Sequence, residues 1–463
     1  MKILLIQSAF LYRHHTHLQP LGIMYVASAL RQEGHDVHIL DMKVERIDAS
    51  GAMRVMDDLR PDVIGLTAMT YESTCMFEVA EKARQRFPDV PVVVGGAHAS
   101  NLPERTLRAC PGIDYVCIGE GEITFVELLE TLQAGGDVST VRGLAYRMNG
   151  RLSRTDPRPF IEDVDTIPSP AWDLIPVEKY FTIPRGGIIF WHREFMTLFS
   201  SRSCPYQCIY CHRNLGKRYR PRSPERVVEE IEILVHDFGI REIEFMDDMF
   251  NLDKERVKVI CNLILERGLR IKLTFPNGLR ADLLDVATLR ALKEAGMYRC
   301  MLAIETGSPR LQKFIKKNVN LEKARNMIDQ AVKMGIMTHG AFMLGFPTET
   351  EEEMRMTIDY ARGSRFHTAA FYRVLPFPGS ELYEMVQRER PDLEIDPARF
   401  EYHSTDVNLS AVDEGRVTQL RKKAYRTFYF NPLRLLRIFY RLPNKLVLIP
   451  HLARMFVHRA LER

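Results

Sequence analysis

Long apolar runs are missing from this chain of 463 residues. No stretch reaches the roughly 18 uninterrupted apolar residues that a membrane-crossing helix needs, so no membrane span is expected. Cysteine is scarce, and three of the 8 residues fall within eight positions. A secreted disulfide scaffold would be shorter and more evenly studded, so the pattern argues for metal in a reducing compartment. No internal repeat is visible. The short apolar opening, Met1–Gln7, has no small-residue cleavage site after it and reads as a first strand; cytoplasmic residence is the expectation. A strong overall charge is lacking too: the net is +4. Its distribution is uneven, however. From Arg416 to Arg463 there are twelve Lys and Arg against Glu462 alone, a tail of +11 on a remainder of −7.

What is present is the material of two or three globular domains: 46% hydrophobic and 27% charged residues over this length. Residues 1–146 alternate short β-branched runs (Lys2–Gln7, Val37–Leu40, Val63–Thr67, Val90–Val94, Tyr115–Ile118) with helical stretches. That pattern predicts a doubly wound, Rossmann-like parallel sheet. Ligands of such sheets sit at the carboxyl ends of the strands. Those ends carry Thr67-Ala68-Met69, Gly95-Gly96-Ala97-His98 and Gly119-Glu120-Gly121-Glu122. Residues 147–194 are rich in Pro and read as an ordered linker between domains. From residue 195 to about 400 a second series begins, with strands at Phe195–Ser201, Glu242–Met246, Leu273–Asn277, Arg299–Ile304, Thr338–Leu344 and Thr368–Leu375. Helices are predicted at about 254–267, 285–295, 309–334 and 351–364, with Ser223, Pro224 and Gly239 bounding the helix after the first strand. Six steps make a partial (βα)6 barrel of TIM type. Residues 401–463 complete the α/β chain as a basic, helical C-terminal region.

The first strand of the second series runs into Cys204-Pro205-Tyr206-Gln207-Cys208-Ile209-Tyr210-Cys211, a C-x3-C-x2-C spacing. Three thiolates can hold three irons of a cubane and leave the fourth open. A zinc site is the competing reading, but His212, as fourth ligand, directly adjoins Cys211 and closes a tetrahedron awkwardly. Cys75, Cys110, Cys117, Cys261 and Cys300 lie singly and read as buried structural thiols.

At these residues the chain resembles the radical S-adenosylmethionine (radical SAM) superfamily, in which an aromatic residue precedes the third Cys. The resemblance implies a [4Fe–4S] cluster on Cys204, Cys208 and Cys211, S-adenosylmethionine (SAM) on the open iron, and Tyr210 beside the adenine. It also implies SAM contacts at the strand ends: Asp247, Asn277, Arg280 and Glu305. Each could instead be a turn residue or a cap. Residues 1–146 are similar to the cobalamin-binding domain of B12-dependent members, which implies cobalamin contacts at Thr67, Met69, Gly95, Gly96, His98, Gly119, Glu120 and Gly121. The D-x-H-x-x-G of the lower axial His is not found. His14, His15 and His17 stand nearby in the wrong frame, so either cobalt is bound without a protein His or the domain has lost cobalamin.

The resemblance is to the branch that includes anaerobic magnesium-protoporphyrin cyclases and lipid methylases. It implies methylation of an unactivated carbon of a small apolar substrate, lipid-like or tetrapyrrole-like, through a 5′-deoxyadenosyl radical and methylcobalamin. An electron donor such as flavodoxin or ferredoxin is implied. The rival readings are an oxidative cyclase or oxidoreductase of the same architecture and a non-catalytic cobalamin or iron–sulfur sensor. The tail, with apolar and Arg positions at helical spacing, reads either as a peripheral membrane contact or as a helix capping the barrel. Stacking aromatics on a β platform are not evident, so nucleic acid is set aside.

Overall fold

The computed structural model describes residues 1–9, 18–148, 150–183, 189–391, 393, 407–443 and 445. His14, His15, His17 and the tail beyond Lys445 lie outside them. The chain divides into two compact units. The first comprises Met1–Ile183, Ile209–Arg220 and Leu375–Ser404; the second comprises Pro184–Cys208, Pro221–Val374 and Thr405–Arg463.

In the first unit, β1 (Lys2–Gln7), β2 (Asp36–Asp41), β3 (Val63–Thr67), β4 (Val92–Gly95), β5 (Tyr115–Cys117), β6 (Leu144–Met148) and β7 (Arg151–Arg154) form one sheet in the order β2-β1-β3-β4-β5-β6-β7. Strands β1 to β5 are parallel. Successive strand side chains point to opposite faces. Accordingly Leu4 and Ile6 enter one core with Ile64, Val94, Met76 and Val79. Ile3 and Leu5 enter another with Val93, Ala27, Leu30 and Phe125. Both faces are therefore covered, which is the doubly wound arrangement the alternating pattern implies.

The antiparallel hairpin β6–β7 was not part of the expected sheet. Its signal was nevertheless in the sequence: Asn149-Gly150 between Met148 and Arg151 is the dipeptide favoured in two-residue hairpin turns, and Gly150 has φ +76°. The Pro-rich segment up to Ile183 belongs to the first unit. Trp172, Ile175, Val177 and Tyr180 are buried. The Tyr180 hydroxyl donates to Asp41 at 2.7 Å, and Ser28 donates to the Ser169 carbonyl at 2.6 Å.

The second unit is built on β8 (Phe195–Leu198), followed in the chain by the two-residue strands β9 (Ser201–Arg202) and β10 (Arg220–Pro221), which flank the cysteines. Then come β11 (Glu242–Phe245), β12 (Lys272–Leu279), β13 (Met297–Glu305), β14 (Met337–Leu344) and β15 (Thr368–Arg373). Six of these make an all-parallel sheet in the order β15-β14-β13-β12-β11-β8, the strand count of the expected partial barrel. The helix Pro224–Phe238 starts and stops where the sequence indicates: Ser223 caps it, and Gly239 ends it at φ +66°. The helix expected at 309–334 is two helices, Pro309–Phe314 and Leu321–Lys333. Asn320 caps the second by accepting from the Lys323 amide at 2.9 Å, and Lys316 and Asn318 take left-handed backbone before it. The polar residues Lys316, Lys317, Asn318 and Asn320 thus break a continuous apolar periodicity.

Strand β15 is an edge, and an edge strand exposes a row of unpaired backbone groups. The helix Glu414–Tyr429 satisfies several of them with side chains. The Tyr429 hydroxyl accepts from the Ala369 amide (3.1 Å) and donates to the Ala369 carbonyl (2.9 Å). The Tyr425 hydroxyl accepts from the Phe371 amide (3.1 Å), and Arg421 donates to the Phe371 carbonyl (3.0 Å). Arg373, at the end of β15, forks onto Glu414 at 2.8 and 2.6 Å.

Candidate functional site

The carboxyl ends of the strands in the second unit hold a dense polar layer. The loop after β8 is fixed by Asp247, which follows β11. Its carboxylate accepts from the Ser200 amide (3.1 Å), the Ser200 hydroxyl (2.7 Å) and the Ser201 hydroxyl (2.5 Å). Burial pushes its pKa up, and the serine hydrogen bonds and Arg256 oppose that shift. Arg256 in turn donates to the Ser200 and Arg222 carbonyls. Asp247, expected as a SAM contact, spends most of its acceptor capacity anchoring the base of the cysteine loop.

Arg280, also expected to contact SAM, is held within the protein as well. Its guanidinium pairs with Asp282 (2.9 and 3.3 Å), donates to the Asn318 carbonyl (3.1 Å) and lies 3.8 Å from the ring centroid of Tyr206. Buried and engaged by Asp282, it holds the middle of the cysteine loop through a cation–π contact. Asn277 is exposed, and its amide donates to the carbonyls of Met246 and Asp247 (3.2 and 3.0 Å).

Glu305 ends β13 in left-handed backbone, φ +66°, and Ser203, just before Cys204, has φ +70°. Non-glycine residues held there are strained, and such strain gathers at functional sites. The Glu305 carboxylate pairs at 2.8 Å with Lys317, whose side chain is 12% exposed. Burial alone would lower the Lys317 pKa. The charge of Glu305, then that of Cys208, outweighs it, and the net direction is upward. Lys317 was missed in the sequence because Lys316-Lys317 reads as an exposed basic pair. Only its burial beside Glu305 reveals it.

A second missed group is Glu349, after β14. It is fully buried. One oxygen accepts from the amides of Gly345 (2.6 Å) and Phe346 (2.9 Å), while Oε1 has no partner among the described residues. Burial raises its pKa to about 7.

Cys204, Cys208 and Cys211 are half-buried and free of disulfides, and the chain passes from the second unit into the first after Cys208. Tyr210 is half-buried on the same loop. Among the described residues no three His, Cys, Asp or Glu side chains gather closely enough to hold one metal ion. Three soft thiolates spread over a loop suit a cluster, in which each binds a different iron. Cys75, Cys110, Cys117, Cys261 and Cys300 are buried, and burial drives the last four up to about 12, as befits inert thiols.

In the first unit a cavity of about 220 Å³ opens beyond β5. Gly119 and Glu120 line it with Ser100, Phe160 and Arg213; the other residues expected to contact cobalamin do not. Its volume lies below the roughly 300 Å³ at which pockets for drug-sized ligands begin. Glu120 is committed to structure, accepting from the Ile161 amide (2.7 Å) and pairing with Arg220 (2.8 Å) in a nearly dry bridge. His98 is buried edge-on against Phe77, with Nδ1 unpartnered among the described residues. Burial lowers its pKa to about 4, so the ring is neutral. Gly96 has φ +84°, and a Cβ there would collide with the Thr67 hydroxyl. Beside it, a β-carbon on Gly95 would meet only the Cys117 carbonyl oxygen, at 4.0 Å. Met69 is exposed after β3, and Gly121 starts the helix Gly121–Gln133. Of these strand-end glycines Gly95 alone has almost nothing in the place of a side chain, whereas Thr67 fills that space at Gly96 and Val26 crowds it at Gly121.

Two families match the chain: the B12 binding domain over residues 13–129 and the radical SAM superfamily over residues 198–361. An uncharacterized methyltransferase of Pyrococcus horikoshii is 36% identical over 415 residues, 89% of this chain and 88% of the relative. Cytidylyl-2-hydroxyethylphosphonate methyltransferase of Streptomyces wedmorensis is 29% identical, over 92% of this chain and 90% of its own. The anaerobic magnesium-protoporphyrin IX monomethyl ester cyclase of Rubrivivax gelatinosus is 26% identical, over 89% and 74%. Among solved structures, the cobalamin-dependent SAM radical enzyme OxsB, with aqua-cobalamin and SAM bound, shares the fold at a TM-score of 0.78 and 19% identity, over 99% of this chain and 71% of that one. The cofactors that go with the two matched domains are a [4Fe–4S] cluster, SAM and cobalamin. The chain belongs to the radical SAM superfamily, in the cobalamin-dependent branch that carries a B12 binding domain ahead of the radical SAM domain.

Proposed function

We propose that this radical SAM enzyme is a C-methyltransferase that acts on an unactivated carbon of an apolar, lipid-like or tetrapyrrole-like substrate. The observation that carries methyl transfer is the near full-length similarity to a relative named as a methyltransferase, with both cofactor domains on one chain. The cyclase relative, named for a tetrapyrrole ester, supports the substrate class and also favours the second reading, oxidative cyclisation without methyl transfer.

In this reading Cys204, Cys208 and Cys211 hold the cluster, and Tyr210 and Asn277 lie along bound SAM. With both cofactor systems bound, the cluster and SAM supply a carbon-centred radical and cobalamin supplies a methyl carrier. The chain's own groups do the positioning. Asp247 ties down Ser200 and Ser201 at the start of the cysteine loop, and Arg280 holds Tyr206 within it. Lys317 offers a nearly buried ammonium suited to a carboxylate such as that of SAM, and Glu305 keeps that ammonium charged and aimed. The C-terminal ends of β4 and β5 hold the corrinoid, with Gly95 and Gly119 permitting close approach. Reduction draws on a small electron carrier of the flavodoxin or ferredoxin kind.

Reduced protein incubated with methyl-labelled SAM and candidate lipids or tetrapyrroles tests this. Label in the product, with both S-adenosylhomocysteine and 5′-deoxyadenosine formed, is the expected result. 5′-Deoxyadenosine without S-adenosylhomocysteine, and product without label, would establish the cyclase reading instead.

A further inference from the structure

The helix Pro432–Arg441 is amphipathic in the wrong sense for a solvent-facing helix. Its inner side carries Arg434, 1% exposed, which donates to the carbonyls of Phe366 (3.1 Å), Arg362 (3.0 Å), Ser364 (2.8 Å) and Phe428, and lies 3.6 Å from the Phe428 ring centroid. Ile438, on the same side, packs with Ile189, Met337 and Leu442. The outer side shows Leu433 (70% exposed), Leu435, Leu436, Phe439 and Tyr440 (73%), and Phe430 (82%) precedes it. At 3.6 residues per turn, 433, 436 and 440 fall on one stripe, flanked by 435 and 439.

Cations surround this apolar face. From Gly415 to Lys445 there are nine Lys and Arg and no Asp or Glu. Lys422, Lys423, Arg426 and Arg441 are exposed, and the Lys445 ammonium sits 4.9 Å from the Phe439 ring centroid. Arg416 is paired with Glu351, Arg434 is buried and Asp329 faces Arg437, but the other cations leave the stripe with an excess of positive charge, which matches the boundary between anionic headgroups and acyl chains. Ten residues span about 15 Å, too short to cross a bilayer but enough to lie in its surface.

We propose that this face is an interfacial anchor that lays Pro432–Arg441 into an anionic lipid surface. A second copy of the chain is a poorer occupant, because it would oppose two patches of one sign. Residues 446–463 carry Arg454, Arg459 and Arg463 against Glu462, and so add to that sign rather than offset it. The inference does not depend on the reading of the cofactors.

The test is co-sedimentation of the full-length, anaerobically purified protein with phosphatidylglycerol–phosphatidylcholine vesicles and with pure phosphatidylcholine vesicles. Binding to the anionic vesicles should be at least about tenfold tighter and weaken with salt. Leu436→Glu/Phe439→Glu should reduce it at least about tenfold, with circular dichroism and iron content unchanged. Tyr440→Trp gives a second readout: its emission should shift to the blue only with anionic vesicles. Equal binding by the double-Glu variant, no preference for anionic lipid, or loss of binding only when residues 446–463 are removed would each overturn the proposal. So would a lipid-free dimer that the double-Glu variant dissociates.

Discussion

Glu305 and Lys317 show how much a single pair decides. Removing one partner of a buried ion pair leaves the other charge uncompensated, at a cost of about 3–5 kcal/mol. Lys317→Met should therefore lower stability by that order, while Glu305→Gln/Lys317→Met should lose less than the sum of the two single changes. Urea unfolding of the four proteins under anaerobic conditions measures the coupling. Lys317→Met should also weaken SAM binding, read by equilibrium dialysis, and a variant that unfolds more easily yet binds SAM normally would remove Lys317 from the site. Glu349 carries a pH signature. Its folded pKa of about 7 stands above the ordinary 4.5. Below 4.5 both states are protonated. Between 4.5 and about 7 the folded chain alone keeps the proton, so stability falls as pH rises through that window, by about 3 kcal/mol, and then levels off. Glu349→Gln, which mimics the protonated form, should flatten this part of the stability profile and raise Tm above pH 7. Identical pH profiles for parent and variant would show that the folded carboxyl titrates at its ordinary value. At this scale the cysteines were legible because their spacing is itself the chemistry. Asp247 and Arg280 were legible as strand-end positions, but their partners Ser200, Ser201, Asp282 and Tyr206 come from other loops. Lys317 and Glu349 were not legible at all, since no local pattern records burial.

Among the elements, strands and helices of the second unit follow from periodicity and caps: Ser223 and Gly239 bound their helix as their chemistry dictates. The failures are local competitions. Asn320 captures a helix start inside what reads as one long helix, and Gly150, at φ +76°, lies between two antiparallel strands in residues that read as the edge of a linker. The role of Tyr425 and Tyr429 was beyond reach, because pairing a hydroxyl with an edge strand 54 to 60 residues away leaves no trace in spacing. An unsatisfied buried backbone group costs about 1–3 kcal/mol. Tyr429→Phe strips a donor and an acceptor from Ala369, whereas Tyr425→Phe strips one acceptor from Phe371. Thermal unfolding should show the larger loss of Tm for Tyr429→Phe; equal losses would mean that water replaces the hydroxyls.

For the molecule as a whole, the order of the two sheets was readable because parallel sheets demand continuous apolar strands and intervening helices. Which segments join which unit was not: residues 209–220 and 375–404 group with the N-terminal sheet although they follow or interrupt the second series. Anaerobic protein reconstituted with iron, sulfide and cobalamin should carry about four irons and about one corrinoid per chain. Cys208→Ala should lose the iron while keeping the cobalt. Loss of both from that one substitution would indicate that the chain has not folded around two separate cofactor sites.

The side-chain closure of β15 has a practical corollary for anyone shortening this protein. A chain cut before Asp413 would bare the ribbon Thr368-Ala369-Ala370-Phe371, whose amides and carbonyls would then seek another strand. Such a fragment should precipitate or form ladders of adhering copies rather than yield a tidy catalytic core, because the helix Glu414–Tyr429 serves as its bung.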